Sequence, residues 1–177
     1  DPFGSIPELL ESNNSAVGRR IAVGFGTDLQ VRSANPQAFL PNGTRPVEVE
    51  VCNDGTQPAP PSELGLFLSD DAVLDMGSPF GQPDLQIGWT QVPQLNEGAC
   101  AISTADTFPA GPDGVYTLLV AVDPFDVVPE LIEDNNVLVG PDFGVGFAPD
   151  LTISQVAATG SLMTGLTFEA TVCNDGN

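Results

Sequence analysis

The sequence predicts an all-β chain whose antiparallel strands pack as a β-sandwich. Short apolar runs alternate with turn residues, among them 19 glycines and 17 prolines, and helical periodicity is hard to find. Val47, Val49 and Val51 lie on one face of a predicted strand, and the intervening glutamates lie on the other. Because one face is apolar and the other polar, the pattern is typical of an antiparallel sandwich rather than of a parallel sheet.

We expect about seven strands in one complete unit. The first begins at an Asp-Leu pair, the second carries the valine alternation, and the sixth alternates from Tyr116 to Val122. The sequences PNG at 41–43, NDG at 53–55 and PDG at 112–114 predict tight turns, because Asn and Gly tolerate positive φ. The expected strands are residues 28–34, 46–53, 63–69, 84–92, 99–107, 114–122 and 136–147.

An internal repeat divides the chain. Residues 1–28 recur with modest changes at 123–150, an offset of 122, and the segment around Cys52 recurs around Cys173. A period of this size is large enough for each repeat to bury its own core. We therefore expect a tandem array in which residues 1–26 end a preceding repeat, 27–148 form a complete repeat, and 149–177 supply the first strands of the following repeat.

The charge excludes several classes of function. The formal net charge is −20, with no histidine and no lysine, and the only basic residues are four arginines. Such a chain repels nucleic acid and anionic membranes. Without histidine or lysine, this stretch cannot form a Ser-His-Asp triad, a His-based zinc site or a Schiff base. No apolar run is long enough to span a membrane as a helix.

Several motifs resemble those of a known family. They are TDLQVR at 27–32, LGLFLSDDAVLDMGS at 64–78, GVYTLLVAVDP at 114–124 and VVPELIEDNNV at 127–137. With these motifs the whole repeat resembles the CARDB family, the cell-adhesion-related domain found in bacteria. The resemblance implies an immunoglobulin-like antiparallel β-sandwich, found in tandem on secreted or surface proteins and carrying no catalytic residues.

In an immunoglobulin-like sandwich, the end of the second strand faces the start of the fifth. This geometry predicts a disulfide between Cys52 and Cys100, and hence an oxidising, extracytoplasmic compartment. Strict alternation puts Cys52 on the glutamate face, so we expect the bridge at the sheet surface. The alternative is two free thiols in a cytosolic protein. Cys173 corresponds to Cys52 of the next repeat, so we expect it to be unpaired within these residues.

Two acidic loops predict a cation site, because carboxylate and amide oxygens in irregular loops suit Ca²⁺. One loop follows the third strand and the other precedes the last. The candidate calcium ligands are Asp70, Asp71, Asp75, Asp123, Glu130, Asn135 and Asn136. The structural alternative is that the paired asparagines cap a turn through side-chain-to-backbone hydrogen bonds.

Together these features predict a structural or adhesive module of a large secreted or cell-surface bacterial protein, as a segment of an extracellular fibre or filament. Its expected partners are copies of itself or adjacent repeats, with no nucleic acid and no membrane insertion. The alternative function is a ligand- or carbohydrate-binding accessory domain of a secreted enzyme, which exposed aromatic residues would favour. Trp89 lies in the strand-like run IGWTQV, where we expect it to pack in the core or on a sheet face.

Overall fold

The computed structural model describes residue 6 and residues 23–40, 42–77, 83–108, 111–146, 149, 151–161 and 165–174. Every regular element in these ranges is a β-strand. The strands are β1 (Leu29–Pro36), β2 (Pro46–Asn53), β3 (Ser62–Ser69), β4 (Leu85–Val92), β5 (Cys100–Asp106), β6 (Gly114–Val122), β7 (Val137–Val145), β8 (Leu151–Ser161) and β9 (Gly165–Asn174).

The first seven strands form two antiparallel sheets. One sheet has the order β1-β2-β5, and the other has the order β4-β3-β6-β7. Among the strands that the structure describes, β8 and β9 pair with each other as a separate two-stranded sheet. The all-β fold predicted from alternation is confirmed, and each of the seven expected strands overlaps one of β1–β7.

The core lies between the two sheets. Val47, Val49 and Val51 of β2 are fully buried and belong to one cluster with Leu66 and Leu118 from the four-stranded sheet. Burying each such side chain contributes about 1.5–3 kcal/mol relative to exposure. The glutamates of β2 point away from this cluster, so the period-2 pattern identifies the core face correctly.

A second, smaller cluster lies on the outer face of the four-stranded sheet. Phe67, Leu119 and Ala121 are buried there, and Leu74 from the loop after β3 packs against them. The alternation of β6 places Leu119 on the outward face, where a solvated residue is expected. It is buried nevertheless, because Leu74 and the neighbouring Phe67 cover it.

The two ends of the sandwich differ in what they carry. The entry pole is the end where the chain enters β1, and it comprises residues 24–28, 53–57 and 123–136. The exit pole is the opposite end, where β7 finishes, and it includes residues 70–77. The nine residues of β6 connect the two poles. At about 3.3 Å per residue, the strand separates them by about 26 Å.

Candidate functional site at the entry pole

The segment before β1 is bound tightly to the entry pole. Thr27 forms a parallel bridge with Glu130. The Leu131 N–H donates to the Thr27 carbonyl at 2.8 Å, and the Thr27 hydroxyl donates to the Pro129 carbonyl at 2.9 Å. The Leu131 side chain lies so close to Gly26 that a Cβ there would be 2.9 Å from it. This side of the segment is therefore fixed by the loop that precedes β7.

The turn after β2 holds the other side of the segment. The Gly26 carbonyl accepts hydrogen bonds from the Thr56 N–H at 2.8 Å and the Gln57 N–H at 3.1 Å. A Cβ on Gly55 would lie 2.4 Å from the Gly26 oxygen, so only glycine allows this approach. The entering chain is thus packed between two loops of the sandwich.

Asn53 is the polar residue that links this turn to the segment. It is completely buried, and its Oδ1 accepts from the Asp28 N–H at 3.2 Å and the Gly55 N–H at 3.0 Å. Its Nδ2 donates to the Gln57 carbonyl at 2.8 Å and the Leu95 carbonyl at 3.2 Å. Every hydrogen-bonding position of this carboxamide is used, which stabilises the NDG turn from inside.

Three acidic side chains of the entry pole are wholly or partly withdrawn from solvent. Asp28 is 1% exposed and its Oδ1 accepts from Asn135 Nδ2 at 2.8 Å. Asp123 is 3% exposed, has a φ of 48°, and accepts from the Val128 N–H at 2.7 Å through Oδ2. Glu130, the third, is half-buried. Sequence reasoning missed Asp28 as a site residue, although the Asp-Leu motif marks its position.

Glu130 joins the entering strand to the loop. Its Oε2 accepts the Leu29 N–H, and its Oε1 accepts Asn136 Nδ2 at 2.8 Å. Burial raises the pKa of this carboxyl to about 7, and the nearby charges of Glu133 and Asp123 act in the same direction. The two hydrogen bonds oppose the rise in pKa, because they favour the charged form.

Two amide oxygens in the cluster have no donor. Asn135 Oδ1 and Asn136 Oδ1 are buried and make no hydrogen bond to any part of the chain that the structure describes. Asn136 as a whole is 4% exposed. A buried oxygen without a partner costs free energy, so each one needs an explanation such as a bound ion, a water molecule or a rotated carboxamide.

The other predicted ligands lie at the exit pole. Asp71 Oδ1 accepts from the Val73 N–H at 3.0 Å and from the Ser69 hydroxyl at 3.2 Å. Asp75 Oδ1 accepts from the Gly77 N–H at 3.1 Å, and Asp70 is exposed. These hydrogen bonds shape the loop that places Leu74 on the outer cluster. The seven candidates therefore fall into two groups, one at each end of the sandwich.

The cysteines form a disulfide on the outer face of the three-stranded sheet. Cys52 and Cys100 are directly opposed in the β2–β5 register, and their Sγ atoms are bonded at 1.99 Å. Among the described residues, Glu50 and these two cysteines form the one group of three acidic or cysteine side chains whose ligand atoms all lie within 4.8 Å of one another. Because the sulfurs are bonded to each other, they offer no thiolate to a metal. Cys173 is not disulfide-bonded.

The entry pole is built from the Asp-Leu, NDG and E-x-x-x-x-N-N motifs, and these also identify the family. The CARDB family profile matches residues 26–140. The chain belongs to the CARDB family. The resemblance drawn from the motifs is thus confirmed over β1–β6 and the start of β7. Among curated proteins, none matches this chain.

Solved structures similar to this CARDB chain include two archaeal domains. A CARDB domain from Pyrococcus furiosus, crystallised in complex with di-metal ions, is 22% identical, with a TM-score of 0.47, covering 70% of this chain and 94% of that one. A domain of a Methanosarcina acetivorans protein, named as a cell surface protein, is 23% identical, with a TM-score of 0.50, covering 68% and 93%. The similarity to the Methanosarcina acetivorans domain supports a shared fold.

A third similar structure is an enzyme. β-Glucosidase 3B from Thermotoga neapolitana, in complex with glucose, is 13% identical with a TM-score of 0.45. The match covers 68% of this CARDB chain and 16% of the enzyme. In the ranges that the structure describes, no helix has the length and apolar character needed to cross a membrane.

Proposed function

We propose that this CARDB chain is a structural module of a secreted or cell-surface protein, where successive domains form a tandem, load-bearing array. The observation that carries the proposal is the packed segment before β1. The segment before β1 is residues 24–28, and its repeat counterpart before β8 is residues 146–150. The two segments have the same short length, and both β1 and β8 begin with a leucine. A domain whose entering segment is held on two sides has little freedom to swing at that junction.

The disulfide and the composition support the same role. A disulfide that closes a long loop stabilises a domain against unfolding, and it suits an oxidising compartment outside the cytoplasm. The charge of −20 keeps a concentrated array soluble. A chain without histidine or lysine has few groups for acid–base or covalent catalysis, which favours a non-catalytic role. The expected neighbours are further repeats or copies of the chain, in an adhesive protein or a fibre.

Single-molecule pulling on the native parent protein tests this function. With a repeat of 122 residues and a bridge across a separation of 48, each unfolding event of an oxidised domain releases 74 residues, or about 250 Å of chain. After reduction the same event releases about 420 Å. Regularly spaced events that lengthen in this way support the array. A single unfolding event, or a spacing between events that is the same before and after reduction, rejects the array.

We also propose that Ca²⁺ binds at the entry pole. The supporting observation is the pair of buried amide oxygens on Asn135 and Asn136, which lie in the same network as the carboxylates of Asp28 and Glu130. These four residues and Asp123 supply carboxylate and amide oxygens, which are the ligands that Ca²⁺ prefers. The ion would neutralise the charge of the three carboxylates. The exit-pole aspartates fit less well, because no buried side-chain oxygen among the described residues of that loop lacks a hydrogen-bond donor.

Thermal unfolding in EDTA and in Ca²⁺ at pH 7.5 tests the cation. Ca²⁺ should raise the Tm of the wild type, because an ion that binds only the folded state stabilises it. Glu130→Gln should lose most of this increase, whereas the exit-pole control Asp71→Asn should keep it. If Ca²⁺ raises the Tm of all three proteins equally, or of none, the entry-pole site is rejected.

A further inference from the structure

The outer face of the four-stranded sheet carries a row of small and apolar residues that crosses all four strands. Trp89 of β4 is opposite Gly65 of β3, which is opposite Ala121 of β6, which is opposite Val137 of β7. The next row contains Phe67 and Leu119 and ends at Val139. Of the large side chains, Trp89 is 61% exposed, Val139 54% and Val137 40%.

The outer face of the other sheet has the opposite character. There Glu48 and Glu50 of β2 point outward, Arg32 of β1 forms an ion pair with Asp54, and the disulfide occupies the end of the face. The two rows through Gly65 and Phe67 carry no charged side chain, whereas Glu63, opposite Gln91, and Asp142, opposite Thr117, lie at either end of them. These two rows are therefore an uncharged strip, bordered by a carboxylate at each end, on a molecule of net charge −20.

Polar amides flank the indole. A Cβ on Gly65 would lie 2.6 Å from the Phe67 ring and 3.7 Å from Gln86 Nε2, so the ring and the amide cover the glycine opposite Trp89. Gln91 follows Trp89 by two positions, which puts it on the same face, and it is exposed. An exposed flat ring thus lies between two carboxamides that can both donate and accept hydrogen bonds.

We propose that this face binds a neutral polysaccharide, with the Trp89 indole packing against the apolar face of a sugar ring and with Gln86 and Gln91 binding its hydroxyls. Sugar hydroxyls need partners that donate and accept, which carboxamides provide without charge. The indole supplies a large apolar surface whose polar edge stays in solvent. The proposal goes beyond the structural role, since a spacer needs no exposed tryptophan.

The same observations disfavour a second copy of the chain as the occupant. Two copies that each carry a charge of −20 repel one another. Stable protein interfaces bury about 800 Å² on each partner, whereas the exposed large apolar side chains on the described strands of this face are a single tryptophan and three valines, Val115, Val137 and Val139. A neutral, extended polymer meets neither obstacle.

Tryptophan fluorescence tests the proposal directly, because the chain has one tryptophan. The full chain is titrated with three soluble neutral polysaccharides, hydroxyethylcellulose, xylan and galactomannan, and with polygalacturonate as a charged comparison. We expect a saturable change in Trp89 emission with at least one neutral polymer and none with polygalacturonate. The same neutral polymer should retard the chain in an affinity gel.

Variants distinguish binding at the Trp89 face from non-specific binding of the chain to polysaccharide. Trp89→Ala should abolish retardation in the gel, and Gln91→Ala should weaken binding about tenfold, as expected for the loss of one good polar contact. Ile102→Ala is the matched control, because Ile102 is 70% exposed on the other sheet. It should bind as the wild type does. Circular dichroism and the Tm establish that each variant is folded.

Three results would overturn the proposal. One is the absence of any emission change or retardation with all the neutral polymers. Another is retardation of Trp89→Ala equal to that of the wild type. The third is an emission change that depends on protein concentration without polysaccharide, because that would show copies of the chain meeting at Trp89. None of these results bears on the array, whose test is the unfolding pattern of the parent protein.

Discussion

Replacing Glu130 with glutamine should change the pH dependence of stability in a defined direction. Glu130 accepts the Leu29 N–H and Asn136 Nδ2, and burial raises its pKa from 4.5 to about 7. Between these two values the folded state binds more protons than the unfolded state. The stability from this group is therefore fully present below about pH 4.5 and is lost as the pH rises through 7.

The size of the effect follows from the same values. At about 1.4 kcal/mol per pH unit, the rise corresponds to at most about 3 kcal/mol. Glu130 is only half-buried, so solvent screening reduces the expected loss to about 1–2 kcal/mol. Glutamine carries no charge and avoids this loss. If the Asn136 carboxamide rotates, its unpaired Oδ1 accepts from the new amide, and Leu29 keeps its acceptor.

Urea unfolding of the wild type and Glu130→Gln in EDTA, from pH 4.5 to 8.5, measures the difference. The two proteins should be similar near pH 4.5, and the variant should be about 1–2 kcal/mol more stable at pH 8. Glu97→Gln, which removes an exposed charge near the same pole, should show no such pH-dependent gain. A Glu130→Gln effect that is the same at every pH would refute the role assigned to desolvation.

Three further predictions concern the fold. Reducing the bridge between Cys52 and Cys100, which closes a loop with a separation of 48, should lower the free energy of unfolding by about 4 kcal/mol in urea. Leu66→Ala in the core should cost about 3 kcal/mol and Ile102→Ala on the surface under about 0.5, so equal losses would contradict the assigned core. Gly55→Ala should destabilise the domain and speed hydrogen exchange at Thr56 and Gln57, because its Cβ would meet the Gly26 carbonyl; Gly144→Ala, with open space around it, should do neither.

Local patterns predicted the parts of the fold that depend on local geometry. The valines of β2 define the core face because side chains alternate along a strand, and the order of strands in the family fold placed Cys52 near Cys100. Alternation does not predict the burial of Leu119, because that burial depends on Leu74, which lies in a loop far away in sequence. Trp89 was expected in the core or on a sheet face, and it lies exposed on the outer face of β4.

The entry pole could be predicted only in part. The sequence draws attention to Glu130, Asn135 and Asn136 as a polar group, but nothing local shows that they contact the beginning of β1. Asn135 meets Asp28 across 107 residues, and Glu130 meets Leu29 across 101. Contacts of this range are set by the packing of the two sheets. For the same reason, the NDG pattern predicts only a turn at Asn53, whose carboxamide is also the buried centre of the segment's hydrogen bonds.

The two copies of the repeat share some of these residues and differ at others. Asp123, Glu130 and the asparagine pair recur in residues 1–14, and each takes part in the entry-pole network. Asp134 is replaced by Ser12, and it is exposed. Asp126 is replaced by Gly4, and its φ is 50°, a conformation that glycine adopts freely. Position 126 therefore needs a backbone conformation rather than a carboxylate. Of the acids of this loop that recur, Glu130 accepts the Leu29 N–H at the start of β1, whereas Asp123 and Glu133 accept N–H groups of the loop itself, so the recurring carboxylates both shape the loop and bind it to the entering strand.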